Sequence, residues 1–328
     1  MQQLKHKLKD APAFDPEVLD WVAKENLWNI WVPQEYGGSE MALSEGLQKL
    51  QYLARMDGSL GWTVTLCSGA NYFIGNLHPK MAKEVFAAPA ILGGSGGMFG
   101  TAEKDGDEYT INGTWRYATG APYLTHFTLN AKIVENGQEL INADGTSQFL
   151  SFVIPANKVS IIEDWDTMGL KASATHSFEV KNVNVEERYS FTYNRFYLSQ
   201  PIFKIHFSVF ADLTLWVNYI GMAEHLLEEA RLTDKSSYKA MQKVISAANH
   251  TLYDFAKKVE MITGQGTSIP EPLICNIHQE AVVSVKELSK AIIDMYPTLG
   301  IKASTQGHVL NQVFRDYFTA TQHHIFTK

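Results

Sequence analysis

Cysteine is nearly missing from this chain. Cys67 and Cys275 are the only two in 328 residues, too few for a disulfide framework or a thiolate metal cage. Long apolar runs are missing as well. The most apolar stretch, residues 201–223, is interrupted by Lys204, His206, Asp212 and Asn218, whereas a bilayer span needs about 20 uninterrupted apolar residues. Positive charge is in short supply: 28 Lys+Arg against 35 Asp+Glu leave a net −7. No basic cluster reverses that balance locally, so neither nucleic acid nor a membrane surface is an expected partner. The start, residues 1–10, is basic with no apolar segment behind it, so a secretory leader is not expected and a cytoplasmic location is.

Several catalytic signatures are absent too. No Gly-x-Gly-x-x-Gly follows a strand, and no phosphate loop ends in Gly-Lys-Ser/Thr. Gly93, Gly94, Gly96 and Gly97 lead into a β-hairpin instead, which excludes a dinucleotide-binding turn. Eleven histidines form no His-Glu-x-x-His, and adjacent His323 and His324 would point about 100° apart on a helix. No Gly-x-Ser-x-Gly elbow occurs. No metal site and no serine hydrolase chemistry are expected.

What is present falls into three blocks, residues 1–89, 90–195 and 196–328. The first is helical. Leu19, Val22, Ala23 and Leu27 recur at helical spacing behind an Asp15-Pro16 start. Pro33 and the Gly37-Gly38 pair break that pattern, and helices over 44–56, 59–76 and beyond Pro79 follow. In the second block the period drops to two and turns multiply. Asn112-Gly113 between apolar runs predicts a two-residue hairpin, with further strands over 126–134, 148–154, 159–163 and 177–185. An antiparallel barrel or sandwich is expected. In the third block the stripes Tyr238, Met241, Val244, Ile245, Ala248, Leu252, Phe255, Val259, Ile262 and Leu273, Ile277, Ala281, Val285, Leu288, Ile292, Met295 predict a four-helix bundle.

Within this α+β order, five segments resemble the acyl-CoA dehydrogenase flavoprotein family. Pro33-Gln34-Glu35-Tyr36-Gly37-Gly38 is similar to its N-terminal element, and residues 102–113 to its β-domain hairpin. Trp115-Arg116-Tyr117-Ala118-Thr119-Gly120 resembles the strand that lies against the flavin. Residues 165–175 resemble a following strand pair, and Phe314-Arg315-Asp316-Tyr317 an "Arg-Asp" helix near the active site.

The resemblance implies a homodimer or homotetramer binding FAD, or alternatively FMN, between the β domain and the bundle. It places Tyr117 at an aromatic flavin wall, Thr119 at a hydroxyl beside N5, and Gly94 and Ser95 at the pyrimidine edge. Taken alone, each residue has a plainer reading. Tyr117 would pack across strands, Thr119 would simply favour β structure, and Gly94 would permit a turn. The first functional reading is a flavin oxidoreductase that oxidises a CH–CH group of an acyl thioester, passing electrons to an electron-transfer flavoprotein.

The sequence departs from that reading at the base. No carboxylate follows Asp316, where most dehydrogenases of the family carry a Glu. Glu224, Glu228 and Glu229 on an earlier helix are the only substitutes, and they read as solvated helix charges. A Gln-x-x-Gly-Gly segment is replaced by Pro297-Thr298-Leu299-Gly300, and Thr233, Asp234 and Lys235 stand where an Arg is usual. The terminal "Arg-Asp…His" pattern is closer to the family's flavin-dependent monooxygenase branch. There a partner reductase supplies reduced flavin, and a His matching His323 stands beside it. That branch's second His is replaced here by Ala70 and Asn71. The alternative reading is therefore a two-component monooxygenase acting on an aromatic substrate. A third is a non-catalytic flavin or acyl-ligand binder.

Overall fold

A computed structural model describes residues 2–232 and 238–326. The expectation for Thr233, Asp234 and Lys235 lies outside the described residues. The N-terminal helices are α1 (Gln2–Leu8), α2 (Pro16–Lys24), α3 (Leu43–Met56), α4 (Gly58–Asn71) and α5 (Pro79–Val85). The Asp15 side chain caps α2 by accepting from the Glu17 N–H at 2.9 Å, and Pro16 occupies the first turn, where its missing N–H costs nothing. α4 is different in kind. It is apolar or small around its whole circumference and is buried on nearly every face, as a helix wrapped by other elements must be.

The middle of the chain forms one mixed sheet in the order β6-β7-β2-β1-β3-β5-β8, with β4 paired to β3. Its strands are β1 (Leu92–Asp105), β2 (Glu108–Ala118), β3 (His126–Glu135), β4 (Gln138–Glu139), β5 (Phe149–Pro155), β6 (Ser160–Ile162), β7 (His176–Glu186) and β8 (Ser190–Phe191). One pairing departs from the antiparallel expectation: β1 and β3 run parallel.

The hairpin turn also lies elsewhere than at Asn112-Gly113. The reversal is at Gly106-Asp107, where Gly106 takes a φ of +59° and Asp105 pairs with Glu108. β2 passes straight through Asn112-Gly113. Asn112 instead accepts the Asn182 N–H across a bulge at 2.7 Å, and Gly113 lies where a Cβ would stand 2.6 Å from the Gly100 backbone. Gly113 is there for close approach, and the turn signal was misplaced by one strand length.

The C-terminal bundle comprises α6 (Phe207–Arg231), α7 (Lys239–Gly264), α8 (Glu271–Met295) and α9 (Val309–Ala320). On α8 the buried residues are Leu273, Ile277, Ala281, Val285, Leu288, Ile292 and Met295, the whole of the expected stripe. α6 packs on both α3 and α8, so the helical ends of the chain share one core. No described helix is long and apolar enough to cross a membrane.

Candidate active site

β2 ends at Ala118, and the residues that follow turn into the helical layer. Thr119 is 6% exposed, and its carbonyl accepts from the Cys67 thiol of α4 at 3.6 Å. At Gly120, whose φ is +73°, a side chain would stand 3.1 Å from Cys67 Sγ and 3.4 Å from Thr63. Only glycine fits there without strain, and its absence of a side chain brings the strand end onto α4.

The four residues expected around a flavin ring do come together. The Ser95 hydroxyl donates to the Arg116 carbonyl at 2.7 Å, which fixes the Gly94-Ser95 segment beside Tyr117. Gly94 is there for packing, because a Cβ would fall 1.7 Å from the Thr128 carbonyl of parallel β3. Gly94→Ala should therefore separate β1 from β3 and lower stability by roughly 3 kcal/mol, as overpacking does at its upper range. A shift of the urea midpoint checks this.

Tyr117 is 45% exposed, and its ring meets Trp165 at 5.8 Å in an edge-on arrangement. A half-open aromatic pair at a strand end is unlike the buried cross-strand packing of the plainer reading. Behind it runs a row of hydroxyls that the sequence did not reveal. Ser173 donates to the Leu170 carbonyl at 2.6 Å, lies 2.7 Å from the Thr175 hydroxyl, and Thr175 reaches Thr119 Oγ1 at 3.2 Å.

The segment carrying these residues is tied to α9 by the Arg-Asp pair. Asp316 accepts the Leu170 N–H at 2.6 Å. Arg315 binds the Met168 carbonyl and, at 2.6 Å, the Asp10 carboxylate. Gly169 allows this contact, since a Cβ there would stand 2.2 Å from the Arg315 carbonyl. Asp316 also faces Asp57, the N-cap of α4, which accepts from Leu60 N–H and from Gln312. Burial, and for Asp57 the neighbouring Asp316 charge, push Asp57 up to about 7 and Asp316 up to about 6.

His323 stands just beyond the end of α9. Its ring packs edge-on against Trp62 at 5.6 Å, and its Nδ1 is buried without a hydrogen-bond partner. Burial, reinforced by the neighbouring His324, pushes its pKa down to about 4, so it is a neutral imidazole at physiological pH. Trp62 and Cys67 are five residues apart on α4, about 7.5 Å along its axis. α4 thus carries the contact to His323 at one place and the contact to Thr119 at another.

Other candidates are occupied elsewhere. Glu224 accepts from Gln51 and Asn249, each at 2.9 Å, Glu228 pairs with Arg55, and Glu229 lies 4.0 Å from His225. The expectation of solvated charges is corrected for all three, which are half-buried in these pairings. Asn71 spends its amide on Trp28, Asn29 and Ala90 and its oxygen on Leu92, a structural knot. Among the described residues no three His, Cys, Asp or Glu side chains form a metal cluster.

A flat aromatic group suits this arrangement: an open aromatic wall, a row of hydroxyls and a half-buried imidazole whose Nδ1 has no partner. The family described as "Acyl-CoA dehydrogenase, C-terminal domain" matches residues 214–328. Over those residues the chain resembles the acyl-CoA dehydrogenase family. Indole-3-acetate monooxygenase of Acinetobacter baumannii is 29% identical over 217 residues, 65% of this chain and 54% of that protein. The flavin-dependent monooxygenase oxygenase subunit HsaA of Mycobacterium tuberculosis is 22% identical over 67% of this chain and 56% of its own length. These matches span little more than half of either relative. The fold is shared over the whole chain. The HsaA crystal structure superposes with a TM-score of 0.89 at 17% identity, covering 99% of this chain and 92% of that one. XiaF from Streptomyces sp., solved with FADH2 and glycerol, gives 0.86 at 18% identity, covering 98% and 88%.

Proposed function

We propose that this protein is the oxygenase component of a two-component flavin-dependent monooxygenase, acting on a small aromatic substrate. The observation that carries this reading is His323, a neutral, half-buried imidazole beside Trp62 whose Nδ1 is buried without a partner. No carboxylate stands in its place. The relatives are named as monooxygenases, and HsaA as an oxygenase subunit. The dehydrogenase reading therefore yields to its alternative, since Glu224, Glu228 and Glu229 are committed to other partners.

In this reading Tyr117 and Trp165 form the wall against a flavin ring, and Thr119 with Thr175 and Ser173 presents hydroxyls along its edge. Gly94 and Ser95 lie beside Tyr117 and would meet the opposite edge. Bound reduced flavin supplies the two electrons that activate molecular oxygen. The apolar faces of Trp62 and α4 keep bulk water away from His323. Because His323 is neutral, it can hold or pass a proton at a ring nitrogen without burying a charge. A separate reductase would deliver the reduced flavin. FAD is the proposed cofactor and FMN the alternative, because the segment that would grip an adenylate is a short turn whose Tyr296 stacks on Phe314 of α9.

The test supplies chemically reduced FAD or FMN, oxygen-18 gas and a panel of phenols and indoles. One labelled oxygen atom in a product is expected. Acyl-CoA-dependent flavin reduction with no oxygen incorporation would restore the dehydrogenase reading. Absence of both would favour the non-catalytic binder.

A further inference from the structure

Asp316 reaches the β domain through a single residue, Leu170. That residue is 1% exposed and takes a φ of +51°, a left-handed conformation that few side chains other than glycine adopt. Ala174, four residues on, does the same at +43°, and the tight turn of residues 171–173 lies between them. Such a backbone persists only where its surroundings fix it on several sides, and here they do. The Leu170 N–H donates to the Asp316 carboxylate at 2.6 Å. The Leu170 carbonyl accepts from Trp165 Nε1 at 3.0 Å, and from the Ser173 hydroxyl and N–H at 2.6 and 3.1 Å. The turn then grips the end of β2. Gly120 N–H donates to the Ser173 carbonyl at 2.8 Å, and Ala121 N–H to the Ala174 carbonyl at 3.3 Å.

Trp165 links this knot to the aromatic wall. An indole has one polar hydrogen, and here Leu170 receives it. The main-chain N–H of Trp165 is held separately, by His176 Nδ1 at 3.0 Å. The ring itself is half-buried and meets Tyr117 edge-on, so its hydrogen bond to Leu170 sets the angle at which it is presented. Without the Asp316 carboxylate the buried Leu170 N–H would be an unpaired donor. Leu170 would then relax out of its left-handed conformation, and its carbonyl would turn away from the indole.

We infer that Asp316 is a positioning residue: by holding the Leu170 N–H from α9 it fixes the Leu170 carbonyl, and through that carbonyl the Trp165 ring against Tyr117. The further step, from that ring to a bound flavin, rests on the oxygenase reading above. The step from Asp316 to the ring does not.

The experiment labels the full chain with 5-fluorotryptophan and records fluorine NMR without flavin. Seven resonances are expected, one per tryptophan, and Trp165→Phe identifies the one that matters. Asp316→Ala should shift or broaden the Trp165 resonance and leave the other six in place. Asp316→Asn keeps an oxygen for the Leu170 N–H and should return the resonance to its wild-type position. Should Asp316→Ala not fold, Asp316→Leu replaces it, with the same branching and no acceptor. In anaerobic dialysis the alanine variant should bind reduced FAD about tenfold more weakly than wild type, and the asparagine variant as wild type does. A Trp165 resonance unmoved in the variant lacking the acceptor, or moved together with the other six, overturns the inference. So does unchanged FAD affinity in a variant whose Trp165 resonance has moved. Failure of the oxygenase reading has a different signature: the Trp165 resonance still follows residue 316, while neither wild type nor any variant takes up FAD or FMN.

Discussion

Replacing His323 with alanine should lower hydroxylated product per reduced flavin by at least tenfold while oxygen consumption continues. The imidazole sits against Trp62, and its Nδ1 is buried without a hydrogen-bond partner. His324 follows directly but is exposed. Without His323 the electrons of reduced flavin should be lost to hydrogen peroxide rather than spent on substrate. A single residue that handles a proton typically contributes 10²- to 10⁴-fold, so a tenfold loss is a conservative bound. The measurement is product and peroxide in one assay, with His323→Gln beside it. Glutamine keeps a hydrogen-bonding group but cannot carry a proton, so it should behave as alanine does. Coupled turnover retained in both variants would remove His323 from the chemistry.

The second large effect concerns stability. Asp57 and Asp316 are nearly fully buried and face each other where the starts of α4 and the Leu170 segment meet α9. Their folded-state values lie above the ordinary carboxylate range, at about 7 and about 6. The folded protein therefore holds these protons more tightly than the unfolded chain does. Their contribution is complete below about pH 4 and is lost as pH rises through 6 and 7. Asp57→Asn keeps an oxygen for the Leu60 N–H and removes one charge. It should flatten the difference in unfolding free energy between pH 5 and pH 8 by on the order of 2 kcal/mol. At pH 8 the variant should be the more stable protein. His323 works in the opposite direction, its contribution fading as pH falls from 6.5 toward 4, so the comparison is made above pH 5. Parallel stability profiles for wild type and Asp57→Asn would show that the pair does not share a proton.

Periodicity made the helices legible. The α8 stripe fell residue for residue on the buried face, because a bundle helix has one partner surface and one period. The strands over 126–134, 148–154, 159–163 and 177–185 were legible too, to within one residue, whereas β1, β4 and β8 were not anticipated and β2 was split at an expected turn. Their pairing was less so. Asn112-Gly113 has the chemistry of a turn, but local chemistry cannot report that Gly100 of the neighbouring β1 closes on Gly113, with the Trp115 ring crowding the same spot. The parallel pairing of β1 with β3 depends on a contact between segments 30 residues apart and leaves no mark in either segment. At the site, Tyr117, Thr119 and His323 were found through resemblance, and the structure adds how they are held.

Equilibrium dialysis of the purified full chain against reduced FAD and reduced FMN, without oxygen, puts the most direct question to this account. Saturable uptake of one flavin per chain, abolished when Gly120→Val forces the end of β2 away from Cys67, is the predicted result. A chain that takes up neither flavin in either redox state would contradict it.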